Sequence, residues 1–213
     1  MRVVRAQAAL GSPWGPFTAG ELMGVPDAEG ERILDVAMEC FVGFGVRQTS
    51  VELIARRAGL SRPTVYKRFP GRDGVARALF VREARRFLSA VADTARAAPS
   101  KTDGLHKGME EAFFRLTGHP LLRALIANDG RDVLPYLTTD AEHVLDAAVR
   151  LAVPFLRAWL PDEMTAHQAH VAAEFLGRFL ISHLLTPTAT PRDVTALCAG
   201  AVAGARAAAR ALP

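Results

Sequence analysis

Cysteine is almost missing from this chain of 213 residues: Cys40 and Cys198 are the only two, each alone on an expected helix face. Two isolated thiols suggest no disulfide framework, and a reducing cytoplasm is the default location. No apolar run approaches the roughly 18 residues that a membrane-spanning helix needs. The N-terminus has arginines but no continuous apolar stretch of signal-peptide length, so neither an export signal nor a membrane partner is expected. Alternation of apolar and polar residues at period two, the mark of a half-buried strand, occurs nowhere. Also missing are a G-x-S-x-G nucleophile elbow, a glycine-rich phosphate loop followed by Lys and Ser or Thr, and an H-E-x-x-H zinc motif. The chain is therefore not expected to be an enzyme. His167, His170 and Glu174 could share one helical face, but no thiolate or second motif joins them. Neither a metal nor a cofactor is expected.

What is present is helical periodicity. Half of the residues are apolar (50%), ample for a sizeable core, and the expected class is all-α, with a small N-terminal head and a helical-bundle body. The richest segment runs from Gln48 to Val65. Thr49 and Glu52 have the T-x-x-E spacing of a capping box, which would start a helix. Val51, Ile54, Ala55 and Ala58 give that helix an apolar face, and Gly59 stands where a left-handed residue would end it. Ser61 can cap a second helix, and Pro63 is tolerated in its first turn because the missing N–H has no intrahelical partner there. Two short helices around a tight turn are a helix-turn-helix, the geometry that lays its second helix in the DNA major groove.

The placement of charge agrees. The whole chain is only +4, yet between Arg47 and Arg72 seven basic residues face Glu52 alone, a net of +6. From Ala97 onward the chain has a net charge of −1. A cationic surface confined to the helix-turn-helix is what phosphate neutralisation requires.

The pattern Ile33-Leu34, Ala37, Phe41, Gly45, Thr49-Ser50-Val51, Ile54-Ala55, Ala58-Gly59-Leu60-Ser61, Thr64-Val65-Tyr66 and Phe69 resembles the DNA-binding domain of TetR-family transcriptional regulators. The resemblance implies a three-helix helix-turn-helix head and a larger helical body for ligand binding and dimerisation. It further implies homodimers that usually repress. Carried onto this chain, the family's DNA contacts fall at Thr49 and Ser50, then Arg62, Pro63, Thr64, Tyr66, Lys67 and Arg68, then Arg72. The expected domains are an N-terminal extension at 1–27, the DNA-binding domain at 28–72 and the ligand-binding and dimerisation domain at 73–213.

Chemistry gives these positions different tasks. The planar fork of Arg62 can pair with guanine O6 and N7. Pro63 and Thr64 offer apolar surface to a thymine methyl, and Thr64 can also donate a hydrogen bond. Tyr66 can reach a phosphate through its hydroxyl, as can Lys67 and Arg72 through charge. Val51, Ile54, Leu60, Val65 and Phe69 are expected to be core. Arg72 stands where lysine is more usual in the family. Gly74 falls inside the expected fourth helix, where glycine costs about 1 kcal/mol relative to alanine. Before the first helix, Gly11, Pro13, Gly15, Pro16, Gly20, Gly24 and Pro26 read as loop or disorder, in which Arg2 and Arg5 could form a minor-groove arm.

Further helices are expected at 72–97, 104–117, 120–127, 131–160 with an interruption near Thr138, 165–185 and 191–212. The last two carry Phe175, Phe179, Leu180, Leu184 and Leu185, then the small-residue run from Ala196 to Ala205. Together they suggest a twofold dimer interface. A ligand pocket in the body would draw on Phe113, Phe114, Leu125, Tyr136, Phe155, Trp159, Phe175 and Phe179, with His143 and His183 as polar groups. Such a lining favours a lipophilic small molecule. The expected function is a cytoplasmic, ligand-responsive repressor released from a palindromic double-stranded operator. An activator or ligand-independent regulator of the same fold is the alternative; a helical carrier or enzyme with a vestigial helix-turn-helix is another.

Overall fold

The computed structural model describes residues 16–157 and 165–186, together with Asp193 and Gly200. Among these residues every regular element is an α-helix. Apart from Asp193 and Gly200, the expected helix at 191–212 lies outside the described residues, as do Trp159, Cys198, Arg2 and Arg5. The helices are α1 (Ala19–Met23), α2 (Ala28–Phe44), α3 (Val51–Arg57), α4 (Arg62–Arg68), α5 (Gly71–Arg96), α6 (Lys101–Gly118), α7 (Pro120–Leu137), α8 (Glu142–Leu156) and α9 (Ala166–Leu185).

The chain forms two compact units, one of Met1–Glu83 with His119–Ala147, the other of Ala84–Gly118 with Ala148–Pro213. In the first, Asp27 caps α2 by accepting from the Gly30 N–H at 2.8 Å. Ile33, Leu34, Ala37, Cys40 and Phe41 recur at three- and four-residue spacing on α2 and are all buried, the stripe that a packed helix needs. They meet Val51, Ile54, Val65, Phe69, Val75 and Leu79, and the core is completed by Leu121, Leu125 and Val133 from α7. Full burial stabilises each large aliphatic side chain by about 1.5–3 kcal/mol. Arg82, also buried, is neutralised by Asp35 at 2.8 Å, Glu83 at 2.9 Å and Glu31 at 3.3 Å. In the second unit Met109 and Leu176 form a small core with Leu156 and Phe179.

One expectation about elements is corrected. The N-terminal extension is not loop throughout: Thr18 and Glu21 form a capping box that starts α1. Phe17 and Leu22 are buried, Phe17 lies against Phe80, and Arg77 of α5 pairs with Glu21 at 2.6 Å while covering the Phe17 ring. The breaks expected after Ala127 and near Thr138 are both present: α7 leaves helical backbone values at Asp129, between the two expected segments, and it ends at Leu137 with Thr138 as its C-cap. Helix α8 follows from Glu142 to Leu156, and both it and α7 accommodate an internal proline, Pro154 and Pro135. Gly74 has a packing reason, because a Cβ there would lie 2.5 Å from Pro70 Cδ.

Candidate nucleic-acid interface

The helix-turn-helix is built by local signals at its centre. Helix α3 ends at Arg57 with Ala58 as its C-cap, and Gly59 takes φ 66°, a left-handed value that glycine adopts without penalty. Ser61 then caps α4 by accepting from the Thr64 N–H at 3.2 Å, with Pro63 in the first turn. Val65 and the capping Phe69 turn inward. Arg62, Pro63, Tyr66, Lys67 and Arg68 remain exposed, and Thr64 is half-buried with its hydroxyl 2.7 Å from that of Ser61. Among the described residues nothing covers the outward face of α4, which is cationic.

At the start of α3 the expected capping box is not formed. Ser50 is the N-cap, accepting from the Leu53 N–H at 3.1 Å. Thr49 is 1% exposed, and its hydroxyl donates to the Gly45 carbonyl at 2.8 Å and more distantly to that of Cys40. A buried hydroxyl spent on two carbonyls is scaffold, so the structure gives Thr49 no free group for DNA. Ser50, one residue on, is exposed.

Arg47, Gln48, Ser50, Glu52, Arg62, Tyr66, Gly71 and Arg72 line an open cleft of about 440 Å³ on this face. The Arg62 guanidinium lies 5.3 Å from the centre of the Tyr66 ring and donates to its hydroxyl at 3.4 Å. That contact holds its pKa above the usual arginine value; the useful consequence is orientation, since arginine is charged at all working pH. Arg72 donates from Nη1 to the Arg47 carbonyl at 3.1 Å and from Nε to Asp73, so it braces the turn as well as adding charge. Arg47 and Gln48, exposed in the cleft, were not singled out as contacts from the sequence; the basic run alone marked Arg47.

Arg68 is placed differently from the other basic residues of α4. It pairs with Glu29 and Asp27, each at 2.6 Å, and these carboxylates, Glu29 first, raise its pKa. The Gly30 N–H, and then Arg68, hold the Asp27 carboxyl below its ordinary range. Arg68 therefore ties α4 to the start of α2.

The residues expected to line a ligand pocket divide between the two units. Leu125 is part of the core around α2, and Tyr136 and His143 are half-buried in the same unit. In the other unit Phe113 meets His183 edge-on at 5.8 Å, Phe179 lies 4.4 Å from the same ring, and His183 Nδ1 is 3.1 Å from the Phe179 carbonyl. Phe155 is half-buried, Phe175 stacks near Phe179 but is 53% exposed, and Phe114 is 72% exposed. The structure thus brings together Phe113, Phe179 and His183. Among the described residues no group of three or more His, Cys, Asp or Glu could hold a metal ion, and no helix is long and apolar enough to cross a membrane.

Comparison with known proteins gives a match to each of two parts of the chain. Residues 33–79 match the family described as bacterial regulatory proteins of the tetR family, and residues 101–203 match the C-terminal domain of the bacterial tetracyclin repressor. The HTH-type transcriptional regulator AlkX of Mycobacterium tuberculosis is 26% identical over 188 residues, 84% of this chain and 88% of that protein. The crystal structure of the TetR-family repressor AlkX from a Dietzia species, implicated in n-alkane biodegradation, is 24% identical. It superposes with a TM-score of 0.65 over 89% of this chain and 99% of that one. The SmeT–triclosan complex is 23% identical, with a TM-score of 0.55 over 84% of this chain and 91% of that one.

Proposed function

Because the chain belongs to the TetR family of transcriptional regulators, we propose that it is a homodimeric repressor whose grip on a palindromic operator is released by a small molecule. The observation that carries the DNA-binding part is the uncovered cationic face of α4, with Arg62 oriented by Tyr66 and flanked by Arg47 and Arg72. Two such faces in a twofold dimer enter successive major grooves about 35 Å apart. Arg62 reads a base edge; Lys67, Tyr66, Ser50 and Arg72 meet phosphate; Pro63 and Thr64 offer apolar contact. The dimer forms through α9 and the segment after it, for which the exposed Val171 and Phe175 on α9 are supporting features. The apolar surroundings of His183 favour a lipophilic ligand with few polar groups. The protein acts in the cytoplasm, where its DNA is.

A ligand releases the operator only if it binds better to a conformation with a different head geometry. The test begins by selecting bound fragments from the source genome. On the operator so found, Arg62→Ala should cost about 1–3 kcal/mol and relax preference at one base pair. Arg72→Ala should weaken all sequences alike and flatten the salt dependence by roughly 0.9 in slope for a lost phosphate. Wild-type protein that binds operator and random DNA equally at physiological salt would reject the reading in favour of a helical carrier. Reporter assays with and without ligand separate a repressor from an activator.

A further inference from the structure

Helix α7 is kinked at Asp129, where φ is −117° and ψ is 19°, and Gly130 is the next residue. The side chain at the kink is 7% exposed, and its Oδ2 accepts from the Val46 backbone N–H at 2.8 Å. A carboxylate removed from water costs far more than an apolar side chain of the same size, so packing alone does not account for it. Its partner explains the placement. Val46 begins the turn between α2 and α3, where α2 has ended and a buried N–H would otherwise be orphaned.

The preceding residue is shaped to the same contact. Gly45 takes φ 81° and ψ 162°, a region open essentially to glycine alone. A Cβ on Gly45 would also lie 2.9 Å from Asp129 Oδ2. Glycine at this point thus permits both the backbone path and the approach of the carboxylate.

The rest of the turn is held just as closely. The Gly45 N–H donates to Phe41, the Gly45 carbonyl accepts from the Thr49 hydroxyl, the Val46 carbonyl from the Thr49 N–H, and the Arg47 carbonyl from Arg72. Within and just after this turn stand the exposed cleft-lining residues Arg47, Gln48 and Ser50. Of these ties, the one from Asp129 crosses between the two matched regions, from residues 101–203 to residues 33–79.

We propose that Asp129 is a positioning residue for operator binding: by closing the Val46 N–H it fixes the turn that presents Arg47, Gln48 and Ser50, and the kink of α7 thereby sets the affinity of the head for DNA. The inference rests on the DNA-binding reading above. A shift of α7 at the kink by about an ångström breaks a hydrogen bond of this length and loosens the turn without touching α4.

The full chain is tested on the selected operator by fluorescence anisotropy over a range of salt, alongside amide exchange at Val46. Asp129→Ala should weaken operator binding at least tenfold, flatten the salt slope by roughly one phosphate contact and accelerate exchange at Val46. Asp129→Asn, whose side-chain carbonyl accepts the same hydrogen bond, should restore affinity to within threefold and protect Val46. Asp129→Glu keeps charge and acceptor but adds a methylene, so it should fold, keep Val46 protected and bind at least fivefold more weakly; it decides the matter if the alanine variant does not fold. Gly130→Ala, with 4.0 Å of room to Leu134 Cδ1, should bind as wild type. Wild-type affinity and salt slope in a folded Asp129→Ala, or in Asp129→Glu if alanine unfolds the chain, would overturn the proposal, as would equal losses in the alanine and asparagine variants. Loss of operator preference in the wild type would defeat the DNA-binding reading instead, and Val46 exchange in protein without DNA would still judge the latch.

Discussion

Replacing Thr49 with valine separates support from contact at a position where the sequence points to DNA. The two side chains have nearly the same shape, so the change swaps a hydroxyl for a methyl inside a site that is 1% exposed. The hydroxyl's 2.8 Å bond to the Gly45 carbonyl is lost, and the contact to Cys40 with it. Because the surroundings are dry, the Gly45 carbonyl keeps an unmet acceptor; loss of the bond and that desolvation together cost about 2 kcal/mol. For a chain of this size the melting temperature should fall by roughly 4–8 °C. A domain of ordinary stability, about 5–15 kcal/mol, remains almost wholly folded at 25 °C after such a loss. Because the Asp129–Val46 bond and the Thr49 N–H bond to Val46 still hold the turn, operator affinity there should change less than about threefold, with unchanged base preference and salt slope. The assay pairs calorimetry with anisotropy on operator and random duplexes. A variant that melts like wild type but binds operator tenfold more weakly, or prefers another base, would show that Thr49 touches DNA and that the inward placement is wrong.

Three further outcomes rest on single contacts. Gly74→Ala should lower the urea midpoint: a Cβ 2.5 Å from the Pro70 ring costs about 1–3 kcal/mol in overpacking, against roughly 1 kcal/mol of helix propensity gained. A stabilised variant would refute the close approach. Glu21 is held at about 2 rather than 4.5, first by its hydrogen bond from Arg77, with Thr18 adding to the effect against partial burial. A depressed carboxyl pKa contributes stability that is complete above the unfolded value and is lost as pH falls through the folded one. Docking of α1 should therefore weaken between pH 4.5 and about 2, seen as rising amide exchange at Leu22, and Glu21→Gln should remove that dependence. Arg68→Ala should leave the operator salt slope unchanged, since its charge is committed to Asp27 and Glu29; a slope flatter by about one contact would return Arg68 to the DNA face.

The centre of the helix-turn-helix was legible because its signals are local. Gly59, Ser61 and Pro63 each act within a few residues, and the outward set of α4 comes from a helix with Val65 turned in. The start of α3 was not, because Thr49 and Ser50 can both cap; the carbonyls of Cys40 and Gly45, at the end of α2, claim the Thr49 hydroxyl and leave the cap to Ser50. Helix α1 was obscured by its glycines and prolines, although Thr18 and Glu21 carry the same capping-box spacing that misled at Thr49 and Glu52. Nothing local in the sequence marks Arg68 as the partner of Asp27 and Glu29, which reach it across some forty positions. The pocket was the least legible part. Leu125 and Phe179 have the same apolar character in the sequence, yet one belongs to the core around α2 and the other lies beside His183.

Helix α4 is anchored from within by little more than Val65 and the capping Phe69, while Ser61 fixes its start. The residues proposed to meet DNA, Arg62, Pro63, Tyr66 and Lys67, stand on its exposed face, outside that anchorage. New operator preferences can therefore arise by exchanging side chains there with little loss of folding free energy. The turn before α3 has less latitude, because Gly45, Val46 and Thr49 each engage backbone groups within it or with Asp129. Vocabulary and grammar of recognition are thus stored in different places: the first is replaceable residue by residue, and the second is shared with the helix that bears Asp129.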